Sequence, residues 1–362
     1  MKLDDLGWNN FFNNQFKELN NQDYQIGRIA NVQKGNYLIY SQQEELWGKT
    51  SGGFLHRAAT SSELPVVGDW VAFSWNVGDR TAIIHKLLER KNKIVRSAAG
   101  SRRELSQSVS AEQVIAANVD QAFIVSGLDR DYNLRRIERY LTLVYDSGAT
   151  PIIILNKADL CADPYEVQQE VESIAFGVPV HTISAQGQSD LAVFREYLTP
   201  GKTSVLLGSS GVGKSTIINN LLGTDRQATR EISHHVGKGM HTTTTRELLT
   251  LRDGGIIIDN PGMRELQLLA DEEDLEQTFP DIEELAVDCR FSDCNHDNEP
   301  GCAVKRAVED GDLDEGRYES FLKLHREVDH IAEREIKGFK LVEKDMQRKI
   351  KNYQRHVLKK KK

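Results

Sequence analysis

The chain has few cysteines, few prolines and no long apolar run. Four cysteines among 362 residues cannot provide a disulfide framework for a chain of this size. Three of them, Cys289, Cys294 and Cys302, fall close together beside His296, a grouping that in a reducing compartment points to metal ligation before disulfide. No stretch approaches the roughly 20 apolar residues of a membrane-crossing helix. Residues Met1 to Asn10 include Asp4 and Asp5, where a signal peptide has a basic start and an apolar stretch. These absences lead to the expectation of a cytoplasmic protein with no membrane association. A formal net charge of -8 gives no overall basic excess from which to argue a nucleic-acid role. The charge is uneven, however. Acidic residues crowd between Glu265 and Asp288, whereas the tail from Met346 carries Arg348, Lys349, Lys351, Arg355 and Lys359 to Lys362 with no acid among them. A polyanionic partner or a merely solvated tail would each account for it.

With 39% hydrophobic and 28% charged residues, the composition is that of a soluble globular protein, and the length suggests two or three domains. The first hundred residues hold short β-type runs, Gln25 to Ala30, Asn36 to Tyr40, Trp70 to Ser74 and Thr81 to Leu87, with turn signals at Lys34-Gly35-Asn36 and Val77-Gly78-Asp79. Such spacing indicates a small barrel, of which the oligonucleotide-binding fold is one kind among several five-stranded barrels. From about Gln121 the texture changes. Apolar strands at Gln121 to Ser126, Pro151 to Leu155, Val178 to Ile183, Ser204 to Leu207 and Gly255 to Ile258 alternate with helical stretches, the pattern of a parallel sheet covered on both faces. One helix places Leu134, Ile137, Leu141 and Val144 on a single, core-facing side. A long polar helical region runs from Arg317 to Leu358.

The most specific motif is Gly208-Ser209-Ser210-Gly211-Val212-Gly213-Lys214-Ser215, followed by Thr216. It matches the phosphate-binding loop G-x-x-x-x-G-K-[ST] and lies in the required place, after an apolar strand and before a helix. Its backbone N–H groups would cradle phosphates, Lys214 would reach the β- and γ-phosphates, and Ser215 would offer a hydroxyl to Mg²⁺. This pattern alone specifies a nucleoside triphosphate, not a base. Asn156-Lys157-Ala158-Asp159, at the end of the strand Pro151 to Leu155, has the N-K-x-D form of GTPases. Asp159 can accept both hydrogens of the guanine N1–H and 2-amino edge, which adenine cannot supply. Ser184-Ala185 resembles the serine-alanine element whose backbone contacts the guanine carbonyl. Asp259-Asn260-Pro261-Gly262 could be a simple turn. Its position at a strand end favours the D-x-x-G switch, with Asp259 in the magnesium shell and Gly262 sensing the γ-phosphate. Between loop and switch lies Gly237-Lys238-Gly239-Met240-His241-Thr242-Thr243-Thr244-Thr245. Thr243 is the expected first-switch threonine for Mg²⁺ and γ-phosphate, with Thr242 and Thr244 as close competitors.

Two further features shape the expectation. The guanine-recognition elements precede the phosphate loop instead of following it, so the motifs are circularly permuted and the second switch leads almost directly into the C-terminal region. Where Ras-type GTPases place a water-orienting glutamine after D-x-x-G, this chain has Met263, which has neither a donor nor a strong acceptor. His241 is the candidate for that task; a surface histidine in a mobile loop without such a role, and a group supplied by a partner, are the alternatives. Cys289, Cys294, His296 and Cys302 form a C-x4-C-x-H-x5-C pattern that suits one structural, tetrahedral Zn²⁺. Cys161 is expected to be an inert core thiol, and His234, His235 and His241 have no recognised metal-site spacing.

Taken together, these motifs closely resemble the RsgA (YjeQ) family of circularly permuted GTPases. The resemblance spans Pro65 to Val71 in the barrel, Gln113 to Asp120, Asn156 to Asp159, Gly208 to Thr216, Gly239 to Thr244, Asp259 to Met263 and Cys289 to Val304. It implies a multidomain fold: an N-terminal extension and oligonucleotide-binding (OB-fold) barrel over 1–110, a central α/β P-loop GTPase over 111–272, and a mainly helical zinc-binding domain with a basic tail over 273–362. It also implies GTP and GDP as ligands, with nucleotide contacts at Asn156, Lys157, Asp159 and Gly208 to Thr216 and zinc held by Cys289, Cys294, His296 and Cys302. From the motif readings above, Mg²⁺ is expected near Ser215, Thr243 and Asp259, and Lys214, Thr243 and His241 are expected in the hydrolytic machinery. The implied partner is the small (30S) ribosomal subunit, both 16S rRNA and ribosomal proteins, bound late in maturation and released on hydrolysis. The default oligomeric state is a monomer. The rival readings are a P-loop kinase or metabolic NTPase, and a zinc-and-barrel RNA-binding module that keeps GTP mainly as a structural ligand.

Overall fold

The computed structural model describes residues 2–58, 60–76, 78–97, 112–130, 132–209, 211–223, 246–252, 254–259, 272–291, 293–297, 299–326 and 328. The expectations for Ser210, Gly237 to Thr245, Asn260 to Met263 and the lysine-rich tail lie outside the described residues.

A short 3₁₀ turn at Asp4–Leu6 and helix α1 (Asn10–Glu18) precede the barrel. Asn9 caps α1, its side chain accepting from the Phe11 N–H at 3.0 Å. Trp8 and Phe12 pack on the buried Trp70 with ring centroids 4.8 and 5.8 Å away. The barrel strands are β1 (Gln25–Gln33), β2 (Asn36–Ser41), β3 (Glu45–Thr50), β4 (Trp70–Ser74) and β5 (Ala82–Leu87), with α2 (Gly52–Arg57) between β3 and β4. Lys34 and Gly35 both take positive φ, 46° and 80°, as the two-residue hairpin turn joining β1 to β2 requires. Strand pairing runs β1-β2-β3-β5-β4, and β4 closes back on β1. β3 and β5 are parallel and the other neighbours antiparallel. Closure leaves no free edge and encloses Ile29, Ile39, Leu46, Val71, Phe73 and Ile84.

Beyond the barrel, β6 (Lys93–Ser97) pairs antiparallel with β7 (Glu112–Ala117). The second domain follows as β8 (Gln121–Gly127), α3 (Leu134–Asp146), β9 (Thr150–Asn156), α4 (Pro164–Glu172), β10 (Val180–Thr182), α5 (Phe194–Tyr197), β11 (Thr203–Leu207), α6 (Lys214–Leu222), β12 (Glu247–Thr250) and β13 (Ile256–Asp259). β10, β9, β8, β11 and β13 run parallel in that order, and β12 adds antiparallel to β13. The uninterrupted apolar runs are explained by burial on both faces. Ala122, Ile124, Ile153, Val205 and Ile258 face one core, while Phe123, Val125, Ile154, Leu206 and Ile257 face the other with α6 residues Ile217 and Ile218. A bridge from Asn31 of β1 to Glu247 of β12 joins barrel and parallel sheet into one continuous eleven-stranded sheet. Cys161 is only partly buried, packed against the rim of the first core.

The C-terminal unit comprises α7 (Glu272–Thr278), α8 (Pro280–Ala286), α9 (Ala303–Asp310) and α10 (residues 315–326) around Phe279, Ile282, Val304, Leu313 and Phe321. It docks on α3. Glu138 of α3 is fully buried, and its Oε1 accepts from Arg317 at 2.8 Å and Arg135 at 2.7 Å. Arg317, 4% exposed, also forms a two-pronged pair with Asp281 at 2.6 and 2.5 Å and lies 4.8 Å above the Phe279 ring. Burial alone would lower its pKa, but Asp281 and Glu138 raise it above the usual arginine value, so the cation persists. Removing one member of a buried pair leaves the other charge uncompensated. Arg317→Ala is therefore expected to destabilise the folded chain by about 3–5 kcal/mol, measured by denaturant unfolding, with the double variant Glu138→Met/Arg317→Met losing clearly less. Among the described residues, no helix is long and apolar enough to cross a membrane.

Candidate functional site

The expected nucleotide elements gather at the C-terminal edge of the parallel sheet, where open α/β sheets bind ligands. Asn156 ends β9, Ser184 and Ala185 follow β10, the phosphate loop follows β11, and Asp259 ends β13 next to β11. Asn156 is the tie between them. It is 2% exposed, its amide donates to the Val212 carbonyl at 2.8 Å, and its oxygen accepts from the Ala185 N–H at 2.9 Å. One side chain thus fixes the phosphate loop relative to Ser184-Ala185. Asn220 of α6 adds a second link, donating to the Ala185 carbonyl at 2.7 Å.

The loop can form only with glycine at two points. Gly208 has φ 143°, and a Cβ there would sit 2.2 Å from the Val125 carbonyl oxygen. Gly213, with φ 102°, lies so close to Asn156 that a Cβ would approach its amide nitrogen to 2.2 Å. Val212 is buried beneath the loop and anchors it to the second core. Gly213 also caps α6 without any side-chain bond to the first helical N–H groups. A helix start of this kind presents backbone donors and the positive end of its dipole to an anion. Lys214 crosses the loop, donating to the Gly208 and Ser209 carbonyls at 2.6 Å each. Ser215 and Thr216, in the first turn of α6, are exposed.

On the guanine side, the Ser184 hydroxyl donates to Asp159 Oδ1 at 2.6 Å, and Asp190 accepts from the Ser184 N–H at 2.9 Å. These bonds orient the Asp159 carboxylate. Lys157, at the left-handed φ of 67°, pairs with Asp129 from the loop after β8, and Ala158 donates its N–H to the Ile183 carbonyl at 3.1 Å. Asp129 escapes a motif-based reading because nothing in its neighbourhood marks it. The same holds for Arg136 of α3, whose Nη1 donates to Ser209 Oγ of the phosphate loop at 2.8 Å. Arg136 and Glu138 are two positions apart on α3, so one helix touches both the phosphate loop and the C-terminal unit. His241, Thr243 and Gly262 lie outside the described residues.

The second site is the cluster of Cys289, Cys294, His296 and Cys302, whose ligand atoms all lie within 4.8 Å of one another. Cys302 Sγ stands 3.5 Å from His296 Nδ1, Cys289 Sγ stands 3.6 Å from it, and the two sulfurs are 4.0 Å apart. A tetrahedral zinc with Zn–S of about 2.3 Å and Zn–N of about 2.0–2.1 Å sets S–N and S–S edges of roughly 3.5 and 3.8 Å. The cluster fits. Burial and nearby His325 lower the His296 pKa, keeping the imidazole neutral and able to ligate. The outer contacts hold the set in place: Tyr318 donates to the His296 carbonyl at 2.6 Å, and the Ala303 N–H points to Cys289 Sγ at 3.3 Å.

Residues 87–269 match the model of the RsgA GTPase family. Over 98% of its length the chain is 44% identical to a protein of Opitutus terrae named small ribosomal subunit biogenesis GTPase RsgA, of which 97% is covered. The crystal structure of YjeQ from Thermotoga maritima superposes with a TM-score of 0.61 at 28% identity, over 84% of this chain and 98% of that one. YloQ, described as a circularly permuted GTPase, does so with a TM-score of 0.59, also at 28% identity, over 85% and 96%. With near-complete coverage at this identity and a matching family model, the chain belongs to the RsgA GTPase family.

Proposed function

We propose that this protein is a GTPase of small-subunit biogenesis, hydrolysing GTP to GDP and phosphate on the maturing small ribosomal subunit, with nucleotide state controlling association and release. The observation that carries this reading is the Asn156 tie, which holds a phosphate loop and a guanine-side element in one site, in a chain of the RsgA family. The site residues follow from it. Lys214 and the loop's backbone N–H groups from Gly208 to Thr216 bind the phosphates, and Asp159, Ser184 and Ala185 read guanine. Mg²⁺, held near Ser215, Asp259 and Thr243, would neutralise charge developing between the β- and γ-phosphates. The Cys289, Cys294, His296 and Cys302 set would hold one structural Zn²⁺. The barrel over 1–110, the GTPase domain over 111–272 and the zinc domain over 273–362 divide RNA contact, hydrolysis and docking among them, and the protein works as a cytoplasmic monomer.

Sedimentation with purified small subunits tests the nucleotide switch. Binding with a non-hydrolysable GTP analogue should exceed binding with GDP and weaken as salt rises, because basic residues meet phosphates. Equal sedimentation in both nucleotides would defeat the switch, and absence of multiple-turnover phosphate release would favour the RNA-binding module that keeps GTP as a structural ligand. His241→Ala should slow subunit-stimulated hydrolysis by about tenfold or more with GTP affinity nearly unchanged, since water positioning matters chiefly in the transition state. Wild-type stimulated turnover would transfer that role to a ribosomal group.

A further inference from the structure

On the guanine side of the nucleotide site, an ion pair joins a motif residue to one outside every motif: Lys157, second in Asn156-Lys157-Ala158-Asp159, pairs with Asp129 from the loop after β8. We propose that Asp129 is a positioning residue for guanine recognition, acting through Lys157, which it fixes beside the base site and keeps off the Asp159 carboxylate. The proposal rests on the reading above in which Asp159 accepts from the guanine edge.

The backbone brings the two residues together. β8 and β9 run in register from Gln121 and Thr150 to Gly127 and Asn156, and the Leu128 N–H prolongs the pairing by donating to the Asn156 carbonyl at 2.7 Å. Asp129 therefore emerges alongside Lys157. Lys157 has φ 67° and ψ 38°, a left-handed conformation that a residue with a side chain rarely adopts. Its flanks are held, since the Ala158 N–H donates to the Ile183 carbonyl at 3.1 Å and the Leu160 N–H to the Lys157 carbonyl at 2.9 Å. The backbone thus sets where the Lys157 side chain starts, and Asp129 sets where it ends. Gly127 lies under the pair. A Cβ there would stand 3.0 Å from Asp129 Oδ1 and 3.6 Å from Lys157 Cδ, so the carboxylate and the lysine stem both pack over a bare Cα. Lys157 and Asp129 keep 25% and 26% side-chain exposure, enough shielding to make the pair stronger than a fully solvated one.

Two consequences bear on the base. Lysine is among the side chains with the most rotamer freedom to lose. Held at both ends, Lys157 is already ordered before a nucleotide arrives, so ordering it subtracts little from the binding free energy. The second consequence is electrostatic. Asp159 accepts from the Ser184 hydroxyl at 2.6 Å through Oδ1, and in reading guanine it must receive two further hydrogens. An ammonium released from Asp129 has Asp159, two residues on, as an alternative partner, and a charge-assisted bond there would compete with the base for the same oxygens. Asp129 removes that competitor.

Calorimetric titration of the full chain with GDP, ADP and pyrophosphate tests the assignment, pyrophosphate reporting on the phosphate loop alone. Asp129→Asn, which keeps the shape and removes the charge, should weaken GDP binding about tenfold, the scale of one charge-assisted hydrogen bond, and leave pyrophosphate affinity within about twofold. In a Lys157→Ala background the same Asp129→Asn change should alter GDP affinity by less than about twofold, because the side chain through which it acts is gone. Parental GDP affinity in Asp129→Asn, an equal loss for GDP and pyrophosphate, or the full loss persisting in Lys157→Ala would each overturn the proposal. A parent that binds ADP as tightly as GDP would overturn the guanine reading itself, and the proposal with it.

Discussion

Lys214→Ala is expected to lower kcat/KM for GTP by about two to three orders of magnitude, the cost of deleting one preorganised donor to developing charge, while the variant unfolds as the parent does. The two halves of this expectation have separate grounds. Lys214 stands at the first position of α6, where the helix dipole and loop N–H groups favour an anion, and in the proposed phosphate site its ammonium would supply the positive charge that meets the phosphates. Its bonds to the Gly208 and Ser209 carbonyls lie across the loop rather than in either core, so the loop's shape rests on Val212 and Asn156 instead. Losing that charge should therefore disturb catalysis, not packing. Phosphate release under multiple turnover, beside a denaturant melt of the same sample, checks both halves. Near-normal turnover in a folded variant would reject the assigned phosphate site.

What could be read from the sequence was what lies in consecutive residues. The phosphate loop, Asn156 to Asp159 and the Cys/His cluster are short strings whose spacing is dictated by the ligand, and the apolar strands of the parallel sheet announce themselves through burial on both faces. β3 was not legible for the opposite reason. Its inward positions are Leu46 and Gly48, while Trp47 points outward at 42% exposure, which inverts the apolar alternation that marks a strand. A Cβ at Gly48 would approach Ile39 Cδ1 to 2.7 Å and the Ala82 carbonyl oxygen to 3.2 Å, so a larger residue there would require Ile39 to shift. The N-terminal segment likewise gave no motif, although Trp8 and Phe12 build a small core with Trp70. Contacts between distant residues were invisible altogether. Glu138 and Arg317 are 179 positions apart, and each sits in a stretch of charged residues where a buried member has no local signature. Arg136 and Ser209 pose the same problem, and with them the route by which α3 joins the phosphate loop to the C-terminal unit.

That route bears on the zinc cluster, where Cys294→Ser is expected to remove about one zinc per chain and unfold the C-terminal unit at ordinary temperature. The unit's core is small, with Phe279, Ile282, Val304, Leu313 and Phe321 at its centre, and a core of that size supplies little stability alone. Structural zinc contributes about 10–16 kcal/mol of binding free energy at neutral pH, comparable with the whole stability of an ordinary domain at about 5–15 kcal/mol. The ligands are also structural joints: Cys302 caps α9 through the Lys305 N–H at 3.5 Å, and the His296 carbonyl holds Tyr318 of α10. Without the metal, three thiols and a left-handed His296 have no reason to converge. The parallel sheet keeps its own two cores, so GDP binding should survive, but unfolding of the unit would take from α3 both the Arg317 pair at Glu138 and the contact of Thr142 with Thr278. The sheet domain should therefore melt earlier as well. Metal analysis, limited proteolysis and two-probe melting separate these effects. Cleavage should concentrate between Cys289 and Arg326 while residues 112–223 stay protected. A metal-free variant with the parent's proteolysis pattern and melting curve would show that the cluster contributes nothing to the fold.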